Sequence, residues 1–211
     1  MIDTVKSALV LAPHTDDGEF GCGGTMARLV ERGVDVRQIA FSIASRSLPP
    51  GFPADTLVHE SRAASTAIGL GPDALTVHDF EVRTFPDSRQ EILELLIEVA
   101  RDFKPEVVLL PTTGDIHQDH ATIAAEGLRA FKRTTVLGYE IPWNQFRFHK
   151  QAYVTLEERH IVKKAAALDC YASQAHRNYA NEEYIRNLAR THGIEIGREY
   201  AECFEVVRWV I

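Results

Sequence analysis

The sequence predicts an α/β fold, Rossmann-like, with a doubly wound and mostly parallel sheet covered by helices on both faces. Three observations predict it. Over the first 140 residues, short apolar runs bounded by turn residues alternate with amphipathic stretches, the pattern of repeated strand–helix units. The runs Ala8–Ala12 and Val107–Leu110 are continuously apolar, as strands buried on both faces are. Each of these two runs is followed at once by a dense polar cluster, at the carboxyl end of a strand, where open α/β sheets bind their ligands. We read residues 1–211 as one domain, since a chain of 211 residues buries a full core without disulfide or metal staples.

The elements follow in order. Ala8 to Ala12 reads as the first strand, ended by Pro13, which has no N–H to give to a ladder. Gly18, Gly21, Gly23 and Gly24 read as a turn that lets backbone approach a metal or ligand closely, before a helix from Thr25 to Arg32 capped by Gly33. A second strand spans Val34–Ala44. The Pro-Pro-Gly segment makes Ser45–Pro53 a loop, and a helix covers Thr56–Ile68, closed by Gly69. A third strand is expected over Ala74–Phe80, a long amphipathic helix over Asp87–Phe103, and a fourth strand over Val107–Leu110. Ala121–Phe131 reads as a helix and Thr134–Ile141 as a fifth strand, followed by an aromatic loop, Trp143–Lys150. A strand at Ala152–Leu156, helices at Glu157–Tyr171 and Glu182–His192, and a last strand at Phe204–Ile211 complete the chain. Right-handed crossovers and the common doubly wound order set the first and fourth strands side by side.

That adjacency brings the two polar clusters together. His14, Asp16, Asp17 and Glu19 follow the first strand, and Asp115, His117, Asp119 and His120 follow the fourth. Two histidines and a carboxylate with an open position are the donor set of a catalytic zinc site, and Fe(II) accepts the same set. Such an ion lowers the pKa of water from about 15.7 to about 7 and polarises a carbonyl. A spare carboxylate then serves as base, and a spare histidine stabilises the oxyanion or protonates the leaving amine. Hydrolysis of an amide fits. Asp115 either caps the helix that carries HQDH or touches substrate.

The stretch APHTDDGEFGCGG resembles the His-Pro-Asp-Asp-Glu signature of the PIG-L/LmbE family of zinc-dependent N-acetyl-sugar deacetylases, and HQDH is similar to that family's second motif, His-x-Asp-His. The resemblance covers the first 140 residues and, more loosely, the rest. It implies that His14, Asp17 and His120 bind Zn2+ or Fe2+, with Asp16 as general base and His117 as the oxyanion-stabilising or general-acid group. It further implies that Asp119 orients a histidine, and that Glu19 supports the first loop. The sequence departs from the pattern in three places: Thr15 replaces a Pro, Gly18 is inserted before the acidic residue, and Leu57 stands where the family's substrate-contacting Arg is expected. Arg46 or Arg62 then takes that Arg's place, and Trp143 is a candidate platform for a sugar ring. The substrate implied is a small N-acylated amino sugar or related glycoside. Alternatives are the same chemistry on a thiol conjugate or antibiotic intermediate, a non-catalytic sugar-binding module, and a nucleotide-sugar transferase. The last would need basic residues near the glycines, and Gly18–Thr25 has none.

The bulk numbers exclude other classes. A formal net charge of −7 argues against a nucleic-acid partner. No apolar run approaches the roughly 18 residues of a membrane span, and Asp3 comes too early for a secretory leader. Cys22, Cys170 and Cys203 are an odd count at irregular spacing, as expected of reduced thiols in the cytoplasm rather than a disulfide frame. The glycine spacing is not that of a dinucleotide site. Cys22 is expected to pack rather than ligate. A homo-oligomer stays open.

Overall fold

The apolar run after Ser7 has no polar side chain to keep it at a surface, and it becomes the central strand, β1 (Ser7–His14). The computed structural model describes residues 2–210. From β1 the chain runs through α1 (Asp17–Glu31), β2 (Asp35–Ser42), α2 (Thr56–Ile68), β3 (Leu75–Val77), α3 (Arg89–Asp102), β4 (Val107–Pro111) and α4 (Gln118–Ala130). It continues through β5 (Thr135–Tyr139), β6 (Ala152–Leu156), α5 (Glu158–Asp169), α6 (Glu182–Glu195) and β7 (Tyr200–Arg208). All seven strands form one sheet in the order β3-β2-β1-β4-β5-β7-β6. β1 to β5 are mutually parallel, and β7 runs antiparallel to both β5 and β6.

Alternation along β1 divides the interior in two. Ala8 and Val10 face a core shared with Met26 and Leu29 of α1, Ile68 of α2 and Ile161 of α5. Leu9 and Leu11 face a second core, with Ile92 and Leu96 of α3 and Ile123 of α4. Helices therefore cover both faces. Among the described residues, no helix is long and apolar enough to cross a membrane.

β1 and β4 are neighbours, as expected, but their pairing ends at Val10–Leu109. Beyond that point the strands part, and the Tyr139 hydroxyl donates to the Leu11 carbonyl at 2.9 Å. The crevice at the carboxyl ends of β1 and β4 opens there.

The glycine segment corrects the sequence reading. It is not a turn: α1 starts at Asp17, so Gly18 to Gly24 are helical. A Cβ on Gly21 would lie 2.2 Å from the Tyr139 ring, and one on Gly24 would lie 2.5 Å from Leu156 Cδ1. These glycines admit the sheet and its side chains to the helix, rather than a ligand. α1 also kinks at Cys22, whose φ of −147° and ψ of 24° are non-helical. In an unbroken helix Gly24 N–H donates to Phe20 C=O. Here Gly24 N–H donates to Glu202 Oε1 at 2.9 Å, Phe20 C=O accepts from Lys164 Nζ at 2.7 Å, and Lys164 pairs with Glu202 at 2.7 Å. A buried ion pair spans the gap and satisfies both ends.

Other boundaries moved less. β3 is shorter than Ala74–Phe80, α3 is preceded by a 3-10 turn over Phe85–Ser88, and α4 begins at Gln118, three residues before Ala121. The last strand begins at Tyr200 and ends at Arg208; Ile211 lies outside the described residues.

Gly21→Ala forces a methyl into the Tyr139 ring, and overpacking of this kind costs about 1–3 kcal/mol. Urea unfolding is expected to show the midpoint falling with an unchanged slope; an unmoved midpoint would mean that the close approach of α1 to β5 is not needed.

Candidate active site

Three polar atoms face one another in the crevice. His14 Nδ1 lies 3.1 Å from Asp17 Oδ2, His120 Nε2 lies 3.1 Å from the same oxygen, and the two nitrogens are 3.4 Å apart. His14 is the last residue of β1, Asp17 opens α1, and His120 sits in the first turn of α4. The two sequence clusters thus converge, as the strand order required.

Neighbouring carboxylates fix which ring atoms point inward. His14 Nε2 pairs with Asp119 Oδ2 at 3.0 Å, and His120 Nδ1 pairs with Asp115 Oδ2 at 2.8 Å. A carboxylate accepts, so those nitrogens carry protons, and when the rings are neutral the opposite nitrogens present lone pairs to Asp17. Asp17 is anchored in turn, since the His14 backbone N–H donates to its Oδ2 at 2.8 Å. Asp119 is itself gripped by the N–H groups of Arg83 at 2.6 Å and Phe85 at 3.3 Å. The His117 N–H donates to Asp115 Oδ1 at 2.8 Å.

Two lone pairs and a carboxylate at such distances repel unless positive charge sits among them. The titration of the histidines reflects this. Burial pushes His14 down, but Asp17 and the bond to Asp119 outweigh it and raise its pKa to about 9. Burial likewise disfavours charged His120, yet Asp17 and Asp115 raise its pKa to about 10. Asp17, pushed up by burial, is held well below the carboxylate range by the two histidines. A cation is what the triangle calls for. Donor atoms about 2.0–2.1 Å from a tetrahedral zinc lie roughly 3.3 Å apart, so edges of 3.1, 3.1 and 3.4 Å fit one ion.

The remaining charged groups are placed differently. The Asp16 carboxylate makes no side-chain hydrogen bond among the described residues, and burial and the Asp17 charge raise its pKa. His117, the N-cap of α4, accepts the Asp119 N–H on Nδ1 at 3.2 Å, which leaves Nε2 with its proton. Burial, then the His120 and His14 charges, lower its pKa, so it is neutral near pH 7. The nitrogens of His14, His117 and His120 converge within 4.8 Å. Asp17 Oδ2 lies 3.1 Å from each of His14 and His120.

These groups line a cavity of about 330 Å³ with Phe20, Trp143 and Tyr179. Trp143 is stacked on Tyr179, with ring centroids 3.8 Å apart, and meets Phe20 edge-on at 5.4 Å. One face of the indole is therefore taken by Tyr179. Gln174 and Arg177 also line the cavity, so the segment after α5 forms part of its wall. Glu60 holds that segment through the Ser173 N–H at 2.9 Å and hydroxyl at 2.6 Å, and the Tyr171 hydroxyl donates to the Thr15 carbonyl at 2.6 Å.

Several expectations need correction. Asp115 is buried against His120 and the His117 backbone, with both oxygens occupied, and does not line the cavity. It sits where it can orient a histidine, as Asp119 does for His14. Arg46 is exposed, paired with Glu81, and Arg62 lies exposed on α2; neither lines the cavity. The cavity arginines are Arg83 and Arg177 instead, and only Arg83 lies where the sequence reading marked nothing. Leu57, at the position where an arginine was sought, is a buried part of the wall. Glu19 is buried in α1, 3.3 Å from the Gln38 amide, and burial raises its pKa to about 8. Cys22 packs in the core at the kink. A second donor group, Glu140, His192 and Cys203, lies away from the cavity, and His192 is paired with Glu140 at 3.1 Å.

Comparison with known proteins bears on this arrangement. Residues 9–131 match the PIG-L family, described as GlcNAc-PI de-N-acetylase. The diacetylchitobiose deacetylase of Thermococcus kodakarensis is 27% identical over 222 residues, covering 94% of this chain and 82% of that protein. Among solved structures, the conserved protein TT1542 from Thermus thermophilus superposes with a TM-score of 0.80 at 26% identity, covering 99% of this chain and 97% of that one. GalB, the 4-carboxy-2-hydroxymuconate hydratase from Pseudomonas putida, shares the fold with a TM-score of 0.77 at 21% identity, over 98% of both chains. The last is a different reaction on the same fold, so the reaction here is argued from the site.

If Asp119 and Asp115 hold the two rings in register, Asp119→Ala and Asp115→Ala should each weaken zinc affinity by about 10–100-fold. Competition against a chromogenic chelator measures this, and an unchanged affinity in both variants would remove the orienting role.

Proposed function

The chain belongs to the PIG-L family, and from the site it carries we propose that it is a metal-dependent hydrolase removing an N-acyl group, acetyl in the first instance, from an amino sugar or related glycoside. One observation carries the reading: the His14–Asp17–His120 triangle, whose lone pairs and negative charge suit a single ion, with an unpaired carboxylate and a neutral imidazole beside it. The name of the Thermococcus relative, a diacetylchitobiose deacetylase, supports the substrate class.

The donor set fits Zn2+, with Fe2+ as the alternative. When bound, the ion supplies Lewis acidity, polarising the acyl carbonyl and acidifying a water. The protein's own groups supply the rest. Asp16 makes no hydrogen bond to another side chain among the described residues, and its raised pKa brings its basicity closer to neutrality; both suit a general base that takes the attacking water's proton. His117 is neutral with its proton on Nε2, which suits a hydrogen-bond donor to the developing oxyanion. The proton held on Asp16 after attack is then available to the departing amine. The amine leaves as a neutral group, and the acyl fragment as the carboxylic acid, which keeps the water's second proton and then gives it up to solvent. Phe20, Trp143 and Tyr179 give the sugar an apolar wall on the far side. We place the reaction in the cytoplasm, as the reduced thiols suggest.

Acetate release from N-acetylglucosamine-type substrates tests the proposal. A chelator should abolish it and added zinc restore it. Asp16→Asn should keep its metal while kcat falls about 10²–10⁴-fold, the usual worth of a general base. His120→Ala should instead lose metal, measured by elemental analysis. Activity that survives the chelator would end the metal mechanism, and full turnover by Asp16→Asn would end the role given to that carboxylate.

A further inference from the structure

Glu140, His192 and Cys203 meet away from the catalytic cavity. Glu140 directly follows β5, and the antiparallel pairing of Tyr139 with Phe204 sets it across from Cys203 of β7. His192 comes from α6, which packs on β7. A carboxylate oxygen, an imidazole nitrogen and a sulfur thereby lie within 4.8 Å of one another. His192 and Cys203 are buried.

An ion pair between Glu140 and His192, with Oε2 and Nε2 3.1 Å apart, accounts for part of this. It does not account for the rest. Cys203 Sγ sits 3.9 Å from the same oxygen, a long contact for a thiol, which is a weak donor at best. The other carboxylate oxygen accepts from Gln145 Nε2 at 3.1 Å, and Gln145 Oε1 is then buried with no partner among the described residues. A buried acceptor in that state is costly unless a donor or a cation reaches it. Glu140, His192 and Cys203 also line a void of about 20 Å³, which has room for one water-sized occupant and none for a substrate. The surroundings are negative on balance. Burial and then Glu140 push the Cys203 thiol up, Glu195 and Glu202 add to them, and Lys150 opposes. Lys164 lines the void too, but Glu202 takes its charge at 2.7 Å.

The distances suit a metal. A tetrahedral zinc with nitrogen and oxygen at about 2.0–2.2 Å and sulfur at about 2.3 Å sets N···O edges of roughly 3.3 Å and S···O edges of roughly 3.6 Å. The edges here are 3.1 and 3.9 Å, within a few tenths of both.

We propose that Glu140, His192 and Cys203 bind a second divalent ion of zinc type, structural in role and separate from the ion at His14, Asp17 and His120. A thiolate beside an imidazole selects such an ion over Mg2+ or Ca2+, which prefer oxygen. Binding exchanges the Cys203 S–H bond for a metal–sulfur bond, and the proton goes to solvent with no change of oxidation state. The ion ties the end of β5 to α6 and β7. Phe20 lines both this void and the catalytic cavity, so the ion stiffens a wall that the two share. The inference does not depend on the reaction performed in the cavity.

The experiment titrates the metal-free whole chain with Co2+, whose spectrum reports its ligands. Two equivalents are expected. One should bring the ultraviolet charge-transfer band of a cobalt–thiolate bond, which the sulfur-free set of His14, Asp17 and His120 cannot give. Cys203→Ala and His192→Ala should each abolish the band and weaken the second equivalent by more than about 100-fold, beyond the 10–100-fold cost of losing an outer partner, while the first equivalent stays. His120→Ala should keep the band and lose the other equivalent. Zinc should raise the Tm of His120→Ala protein and leave that of the His120→Ala, Cys203→Ala double variant unmoved. X-ray absorption at the zinc edge of the unaltered protein, which needs no variant to fold, should find sulfur at about 2.3 Å. A single equivalent, zinc held only by nitrogen and oxygen, or a band that survives Cys203→Ala or His192→Ala would overturn the second site and leave the first untouched.

Discussion

Three electron-rich atoms held about 3 Å apart do not stay there by themselves. His14 Nδ1, His120 Nε2 and Asp17 Oδ2 are kept in place by groups that have other anchors: Asp119 behind one ring, Asp115 behind the other, and the β1 backbone behind the carboxylate. Much of the fold serves this arrangement. Parallel β1 and β4 bring the two loops together, and α1 and α4 begin within a few residues of their strands, so their first turns point into the same crevice. The loop before α3 adds two backbone N–H groups to Asp119. The carboxylates that hold the imidazoles are thus themselves pinned, which limits reorganisation when charge arrives.

Much of this was legible in the sequence, and the reason is local. His14, Asp16 and Asp17 lie within four residues, as do His117, Asp119 and His120, each group directly after an apolar run, so pattern alone finds them. What pattern could not find depends on a partner far along the chain. Arg83 lines the cavity with its backbone held by Asp119, 36 residues on. Such a contact leaves no periodic trace. The glycines failed for a different reason. Glycine marks both turns and close packing, and only the ring of Tyr139 against Gly21 distinguishes the two. Asp115 was left between a cap and a substrate contact, and the nearby imidazole of His120 gives it a third place.

The C-terminal third, where the sequence reading was thinnest, supplies one wall of the cavity. Tyr179 stacks on Trp143, and Gln174 and Arg177 line the cavity with them. On a fold that also carries a hydratase, such a wall is where substrate preference can change without disturbing the metal-reaching residues. The histidines and aspartates belong to strand ends and helix starts, which are rigid. The wall belongs to connecting segments, which tolerate change.

The Lys164–Glu202 pair at the kink of α1 carries this division one step further. Residues 9–131 hold His14, Asp16, Asp17, His117 and His120, so the family signature by itself looks self-sufficient. Yet Phe20 C=O and Gly24 N–H, within one or two turns of Asp17, are satisfied only by a lysine of α5 and a glutamate of β7. The helix that opens at Asp17 is therefore completed from outside residues 9–131, and that stretch taken alone would carry the signature while leaving two backbone groups of the helix without their partners.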